Sequence, residues 1–236
     1  AWERHHQAGK TNAVTGRFFE PRPSEEFYDN FKDFHNIDNQ IDDPLHQTKI
    51  KELKKELRRQ QLKYFDSGLM PEEMRNRIIK EKNTTVYAFV RDPKLYPLAQ
   101  YLDYADLALT RKKKNLKSFA KGLMDEDPVK RYWSVIGLLL LEKHAKPAIS
   151  ELKKVLGDRD EIPAFASWAI YKAGEKKFAE KWMLEAITQN PGNKTLANIF
   201  DWMGTASHSL LAKIPGDKLP QKGLLKDVVK RSGVQN

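Results

Sequence analysis

Between Asp125 and Leu141 the chain reads Asp-Glu-Asp-Pro-Val-Lys-Arg-Tyr-Trp-Ser-Val-Ile-Gly-Leu-Leu-Leu-Leu. From Tyr132 onward only Ser134 and Gly137 are not large and apolar. A helix that is apolar on nearly every side must be covered on nearly every side. Spanning a bilayer takes roughly 20 apolar residues, so this run is too short, and its cover is expected from other helices of the same chain. Its start is well marked. Asp127 suits the N-cap, and Pro128 suits the first helical position, where no N–H is needed. Asp125 and Glu126 place negative charge at the positive end of the helix dipole.

The covering helices read as copies of one unit. Trp133, Trp168 and Trp202 are 35 and 34 residues apart, and Asp92-Pro93 lies 35 residues before Asp127-Pro128. Such a period predicts a helical solenoid, in which the inner helix of each two-helix unit is buried by its neighbours. The expected outer and inner pairs are 116–123 with 128–141, 147–156 with 162–173, and 178–187 with 194–203. Gly174 and Gly204 close the last two inner helices, and Asn190-Pro191-Gly192 breaks the third pair. A weaker leading unit starts at Asp92-Pro93, and apolar residues between Leu210 and Val229 cap the stack.

With 236 residues, 40% apolar and 31% charged, the chain is long and apolar enough for a globular core. It has no cysteine, which excludes disulfides and thiolate chemistry within these residues. No run suits a membrane span. The chain opens on Ala1-Trp2-Glu3, as a processed product or an excised piece would. The net charge of +10 is uneven: residues 1–45 carry 5 basic and 9 acidic side chains, residues 46–91 carry 12 and 6. Excess positive charge favours polyanions such as nucleic acid, sulfated glycans or acidic lipid, and a lysine-rich solubilising surface accounts for it better than any single polyanion.

The N-terminal third is irregular. Gly9 closes a short helix, and Pro21 and Pro23 favour an extended edge or linker. Ser24 to Tyr28 reads as a strand or turn, and Asp29 to Pro44 as a turn-rich loop. Asp43-Pro44 then opens an amphipathic helix whose stripe, Ile50, Leu53, Leu57 and Tyr64, predicts docking through one face. Gly68 ends it, Pro71-Glu72-Glu73 starts another helix, and Thr84 to Val90 is β-like or a connector. Arg111-Lys112-Lys113-Lys114 reads as a solvated turn.

No complete catalytic constellation is visible. None of the six histidines pairs at i, i+4. His5 and His6 are adjacent, so on a helix they point about 100° apart and do not chelate one metal. The acidic groups Asp38, Asp42, Asp43 and Asp125, Glu126, Asp127 lack the calcium-loop pattern and are explained as helix starts. No glycine-rich phosphate loop or Gly-x-Ser-x-Gly elbow occurs.

One stretch carries a family likeness. Phe18-Phe19-Glu20-Pro21-Arg22-Pro23-Ser24-Glu25-Glu26-Phe27-Tyr28-Asp29 resembles the closing strand of the type I sulfatases of the alkaline-phosphatase-like superfamily, which typically reads Pro-x-x-Glu-Leu-Tyr-Asp. Residues 33–41 occupy the place of the family's Asp-Pro-x-Glu-x-Asn-Leu-Ala loop, with Phe34 for its proline and Asn36 for its glutamate. Residues 44–64 match the helix that follows. Asp66-Ser67-Gly68-Leu69-Met70-Pro71-Glu72 is similar to a later Asp-x-Gly-x-x-Pro-Glu. A subgroup carries a helical-repeat tail of HEAT type, and Asp127 to Trp133 resembles the start of an inner helix in it.

The resemblance implies a mainly α chain: residues 1–91 as the remnant of the sulfatase C-terminal subdomain (strand, loop, amphipathic helix) and residues 92–236 as HEAT-like repeats. It implies an accessory region of an enzyme that hydrolyses sulfate esters of a carbohydrate. Catalysis, through formylglycine and calcium, would lie on a catalytic domain outside these residues, because the family's Cys- or Ser-x-Pro/Ala-x-Arg motif is absent here. The expected partners are that domain and sulfated carbohydrate, with neither membrane nor nucleic acid, and the expected location is periplasmic or secreted. The residues of this chain placed to meet substrate are Arg4, His5, His6, Lys10 and Arg17, ahead of the strand. The alternative is a free-standing HEAT-type module that binds a protein or polyanion.

Overall fold

The computed structural model describes residues 2–20 and 22–234; Pro21, one of the two prolines of the strand-like segment, lies outside them, as do Ala1, Gln235 and Asn236. The fold is mainly helical, and the described residues contain no strand. The chain divides into two compact units, Ala1–Tyr64 and Phe65–Asn236. Residues 65–91, assigned to the N-terminal region on sequence grounds, thus belong to the second unit.

The first unit holds α1 (Trp2–Gln7), α2 (Ala13–Gly16) and α3 (Gln47–Tyr64), with a long irregular segment before α3. The expected strand at Ser24 to Tyr28 does not form. Among the described residues there is no neighbouring strand; a backbone bond from the Gln40 N–H to the Phe27 carbonyl at 2.8 Å is joined by the side chain of Asn39. Its Oδ1 accepts from the N–H of Phe27 at 2.9 Å and of Ile41 at 3.2 Å. Asp43 accepts from Leu45 N–H at 2.8 Å, so the Asp-Pro device works here as predicted, through a short 3-10 turn that leads into α3. The apolar stripe of α3 is only partly used. Ile50 is buried, whereas Leu53, Leu57 and Tyr64 are exposed. The helix ends at Tyr64, where Phe65 turns left-handed at φ +56, rather than at Gly68.

The second unit contains α4 (Glu72–Glu81), α5 (Val86–Arg91), α6 (Leu98–Leu109), α7 (Leu116–Gly122), α8 (Pro128–Leu141), α9 (Ile149–Lys154), α10 (Ile162–Ala173), α11 (Lys176–Gln189), α12 (Lys194–Met203), α13 (His208–Leu211) and α14 (Leu224–Ser232). None of the described helices is long and apolar enough to cross a membrane. At the centre is α8, packed against α6, α7 and α10. Asp127 caps it, accepting from Val129 N–H at 2.9 Å, and its other carboxylate oxygen accepts from the Tyr101 hydroxyl of α6 at 2.7 Å. The same side chain therefore starts the helix and fixes its neighbour. Trp133 reaches out of α8 to donate from Nε1 to the Leu69 carbonyl at 2.8 Å.

Asp92-Pro93 does not repeat what Asp127-Pro128 does. Asp92 caps a tight turn, accepting from Lys94 N–H at 2.8 Å, and the helix waits until Leu98. The reason is Pro97. In a helix begun at Pro93 it would sit four residues in, lacking its N–H and clashing with the preceding turn. Thr84 to Val90, the β-like stretch, is helical from Val86 because Thr85 caps it and Phe89 and Val90 are buried. The expected helix over 147–156 is broken into a 3-10 segment containing Pro147, the short α9, and another 3-10 turn.

Candidate functional site

The sequence-predicted site residues lie in the first unit. The same unit forms an open cavity of about 500 Å³ lined by Val14, Arg17, Phe18, Glu20, Arg22, Pro23, Glu26, Tyr28, His35, Asn36, Ile37 and Asn39. Asn12 fixes one wall. Its side chain accepts from the N–H groups of Val14 and Thr15 and so caps α2, which carries the chain into Arg17. Asn39 fixes the other through its bonds to Phe27 and Ile41, and Asp33 accepts from Asp38 N–H at 2.7 Å.

Of the five predicted residues only Arg17 lines this cavity. His6 is engaged elsewhere: Nδ1 and Thr11 Oγ1 form a 2.9 Å hydrogen bond, and the ring stacks on Phe19 at 4.3 Å. Arg4, His5 and Lys10 are exposed and do not line it. Sequence reasoning misses Glu26, Tyr28 and Asn39 as cavity groups. The one available signal was the run Asp38-Asn39-Gln40, whose asparagine suits side-chain to backbone bonding.

The cavity is close to neutral. Arg17 and Arg22 face Glu20 and Glu26, and Arg22 lies 4.0 Å from Glu26. Partial burial, and then the Glu26 carboxylate beside it, push the Tyr28 hydroxyl above its ordinary range. That phenol is a donor, not a nucleophile. Backbone N–H groups of Ile37 and Asp38 hold Asp33 below the usual carboxylate range. The arrangement suits hydrogen bonding to a small polar ligand, and the described residues contain no group of three or more His, Asp or Glu side chains able to hold a metal.

No family model, curated protein or solved structure matches this chain.

A second set of titratable groups lies in the other unit, where the loop before α10 meets α4 and α8. Arg131 of α8 grips Asp158 at 2.6 Å, and Arg77 of α4 binds both oxygens of Asp160 at 2.8–3.0 Å. Next to these, Glu161 is buried and accepts from Glu73 N–H at 3.1 Å, but its Oε2 has no partner among the described residues. Burial pushes its carboxyl above the usual range, and the nearby Glu73 and Asp160 carboxylates add to this. The same carboxylate, after burial itself, raises the Tyr132 hydroxyl to about 12.

A raised carboxyl pKa destabilises the fold where the group is ionised. That penalty is present above the folded pKa and fades as pH falls towards the unfolded value, near about 4.3. Glu161→Gln is therefore expected to raise the thermal midpoint at pH 7. The gain should shrink to nothing below about pH 4. Melting both proteins by circular dichroism from about pH 3.5 to about pH 8 checks it; equal midpoints at pH 7 would contradict the buried, unpaired oxygen.

Proposed function

We propose that the chain is a scaffold region of a sulfatase that hydrolyses sulfate esters of a carbohydrate, with the bond-breaking residues on a separate catalytic domain. In this reading residues 1–64 close that domain. The helices α6, α8, α10 and α12 are the inner row of a HEAT-like solenoid, with α7, α9 and α11 flanking it. The order of packing, α6 on α8, α8 on α10 and α10 on α12, supports the solenoid, as does the near-equal spacing of Trp133, Trp168 and Trp202.

The observation that carries the docking role is the poor core of the first unit. Among its described residues Ile50 is the one buried large apolar side chain, while Trp2, Phe18, Phe31, Phe34, Leu53 and Leu57 are all exposed. Phe31 and Phe34 are 103% and 83% exposed. Burying a Phe or Leu side chain contributes roughly 1.5–3 kcal/mol, so this unit has most of its folding energy still to gain from a surface outside itself. The alternative, a free-standing binding module, has its support in the basic run at Arg111–Lys114.

Amide hydrogen exchange separates these readings. In the isolated chain, residues 2–64 are expected to exchange within seconds to minutes, and α8 and α10 orders of magnitude more slowly. Adding the polypeptide encoded upstream of residue 1 should protect residues 47–64. Strong protection of 2–64 in the isolated chain would contradict the docking role. An upstream polypeptide without a Cys- or Ser-x-Pro/Ala-x-Arg motif would contradict the sulfatase.

A further inference from the structure

Residues 107–124 hold six cations, Arg111, Lys112, Lys113, Lys114, Lys117 and Lys121, and no carboxylate. Four of them stand in one turn between α6 and α7, and that turn is firmly built. Asn115 is buried beneath it and donates from Nδ2 to Thr110 Oγ1 at 2.9 Å; Thr110 in turn donates to the Leu107 carbonyl at 2.7 Å. Arg111 turns left-handed at φ +52, which sets the direction of the three lysines that follow. The 3-10 segment after α8 packs against α7 and carries Lys143 and His144, with Lys146 one 3-10 turn beyond Lys143. Lys113 and Lys143 lie within electrostatic reach of His144: after partial burial, their charges are what hold its imidazole below the usual range.

Compensation is missing here and present elsewhere. In the same unit Lys130, Arg131, Lys153 and Lys172 each have a carboxylate within 4.0 Å. Among the described residues no ion pair involves Arg111, Lys112, Lys113, Lys114, Lys117, Lys143 or Lys146. Holding like charges together in a fixed turn is unfavourable without a counterion, and an anionic chain that displaces several small ions gains their release.

We propose that the turn 112–114, with Lys117 and the neighbouring Lys143, is a binding site for a sulfated polysaccharide chain. The surface chemistry favours this polyanion over nucleic acid. Single strands bind on exposed aromatic platforms, whereas Phe119, the one aromatic residue in 107–124, is fully buried. Duplex grooves admit a helix or ribbon, and this site is a turn. The choice of a sulfated ligand rests in part on the sulfatase reading, while the existence of the anion site does not.

The test is an anisotropy titration of the full 236-residue chain against a labelled, size-defined heparin oligosaccharide. K112E/K113E/K114E is compared with K213E/K222E/K230E, which changes net charge equally at exposed lysines elsewhere. Arg111 is left in place because of its backbone conformation. The turn variant should bind at least about tenfold more weakly and lose roughly 2–3 from the salt slope, and the control should bind less than about threefold more weakly. K112Q/K113Q/K114Q, which adds no repulsion, should follow the turn variant in direction, and melting curves check that all variants fold. Equal weakening by both triple reversals would reduce the effect to net charge and overturn the site. So would unchanged binding in the turn variants. Duplex DNA of matched charge binding as tightly as heparin, with the same sensitivity, would overturn the choice of ligand. Heparin binding at this turn in a chain whose parent lacks the sulfatase motif would keep the site and remove the sulfatase, so the two readings fail separately.

Discussion

Gly137→Ala is expected to destabilise the chain by about 1–3 kcal/mol, the usual range for overpacking a core. Helix propensity alone predicts the opposite sign, since alanine is better than glycine in a helix interior by about 1 kcal/mol. The packing around α8 decides the sign. A Cβ built on Gly137 would stand 2.7 Å from three carbons of the Phe119 ring. Phe119 of α7 is wholly buried, so the ring has no free space to move into. Phe119→Ala should cost about 3–5 kcal/mol through the cavity it leaves. Gly137→Ala with Phe119→Leu should be less destabilised than the two single changes added together, because the smaller side chain accepts the methyl group. Urea unfolding followed by circular dichroism measures all of these. A neutral or stabilising Gly137→Ala would show that α7 does not sit on α8 as described.

Arg77→Met is the second large effect. It removes the partner of Asp160, whose side chain is only 8% exposed against 26% for Arg77. Breaking a buried ion pair from one side costs about 3–5 kcal/mol, because a charge is left unpaired. Since Arg77 is partly solvated, a loss near the low end, about 3 kcal/mol, is expected. Adding Asp160→Asn should recover much of it by removing the stranded charge. Asparagine is the right replacement for a further reason: Asp160 has φ +58, a left-handed conformation that Asn tolerates well. Additive losses in the double variant would contradict the pairing.

Much of the helical unit was legible in the sequence because its signals are local and agree with one another. Asp127-Pro128 and the apolar run bound α8 at Pro128 and Leu141. Gly174 and Gly204 stop α10 and α12 where the pattern says, both with positive φ. Where a local signal met a contrary one, the reading failed. Asp92-Pro93 carries the same start signal, and Pro97 cancels it. Thr84 to Val90 has strand-like composition, but the described residues hold no strand for it to pair with, and burial of Phe89 and Val90 favours a helix.

The candidate site was less legible. Arg17 reaches the cavity because Asn12 caps a short helix just ahead of it, a backbone effect that does not appear as a charge pattern. His6 looked available and is held by Thr11 and Phe19. The buried Glu161 carries no sequence mark at all: it becomes unusual only when α4 packs over the loop before α10.

The central claim is that these residues are a scaffold and that the chemistry of the proposed sulfatase lies on other polypeptide. Incubating the purified 236-residue chain with a chromogenic aryl sulfate tests it most directly. The account predicts no release above buffer from this chain alone, and release once the upstream polypeptide, with its formylglycine motif and calcium, is attached. Sustained turnover by residues 1–236 unaided would contradict it.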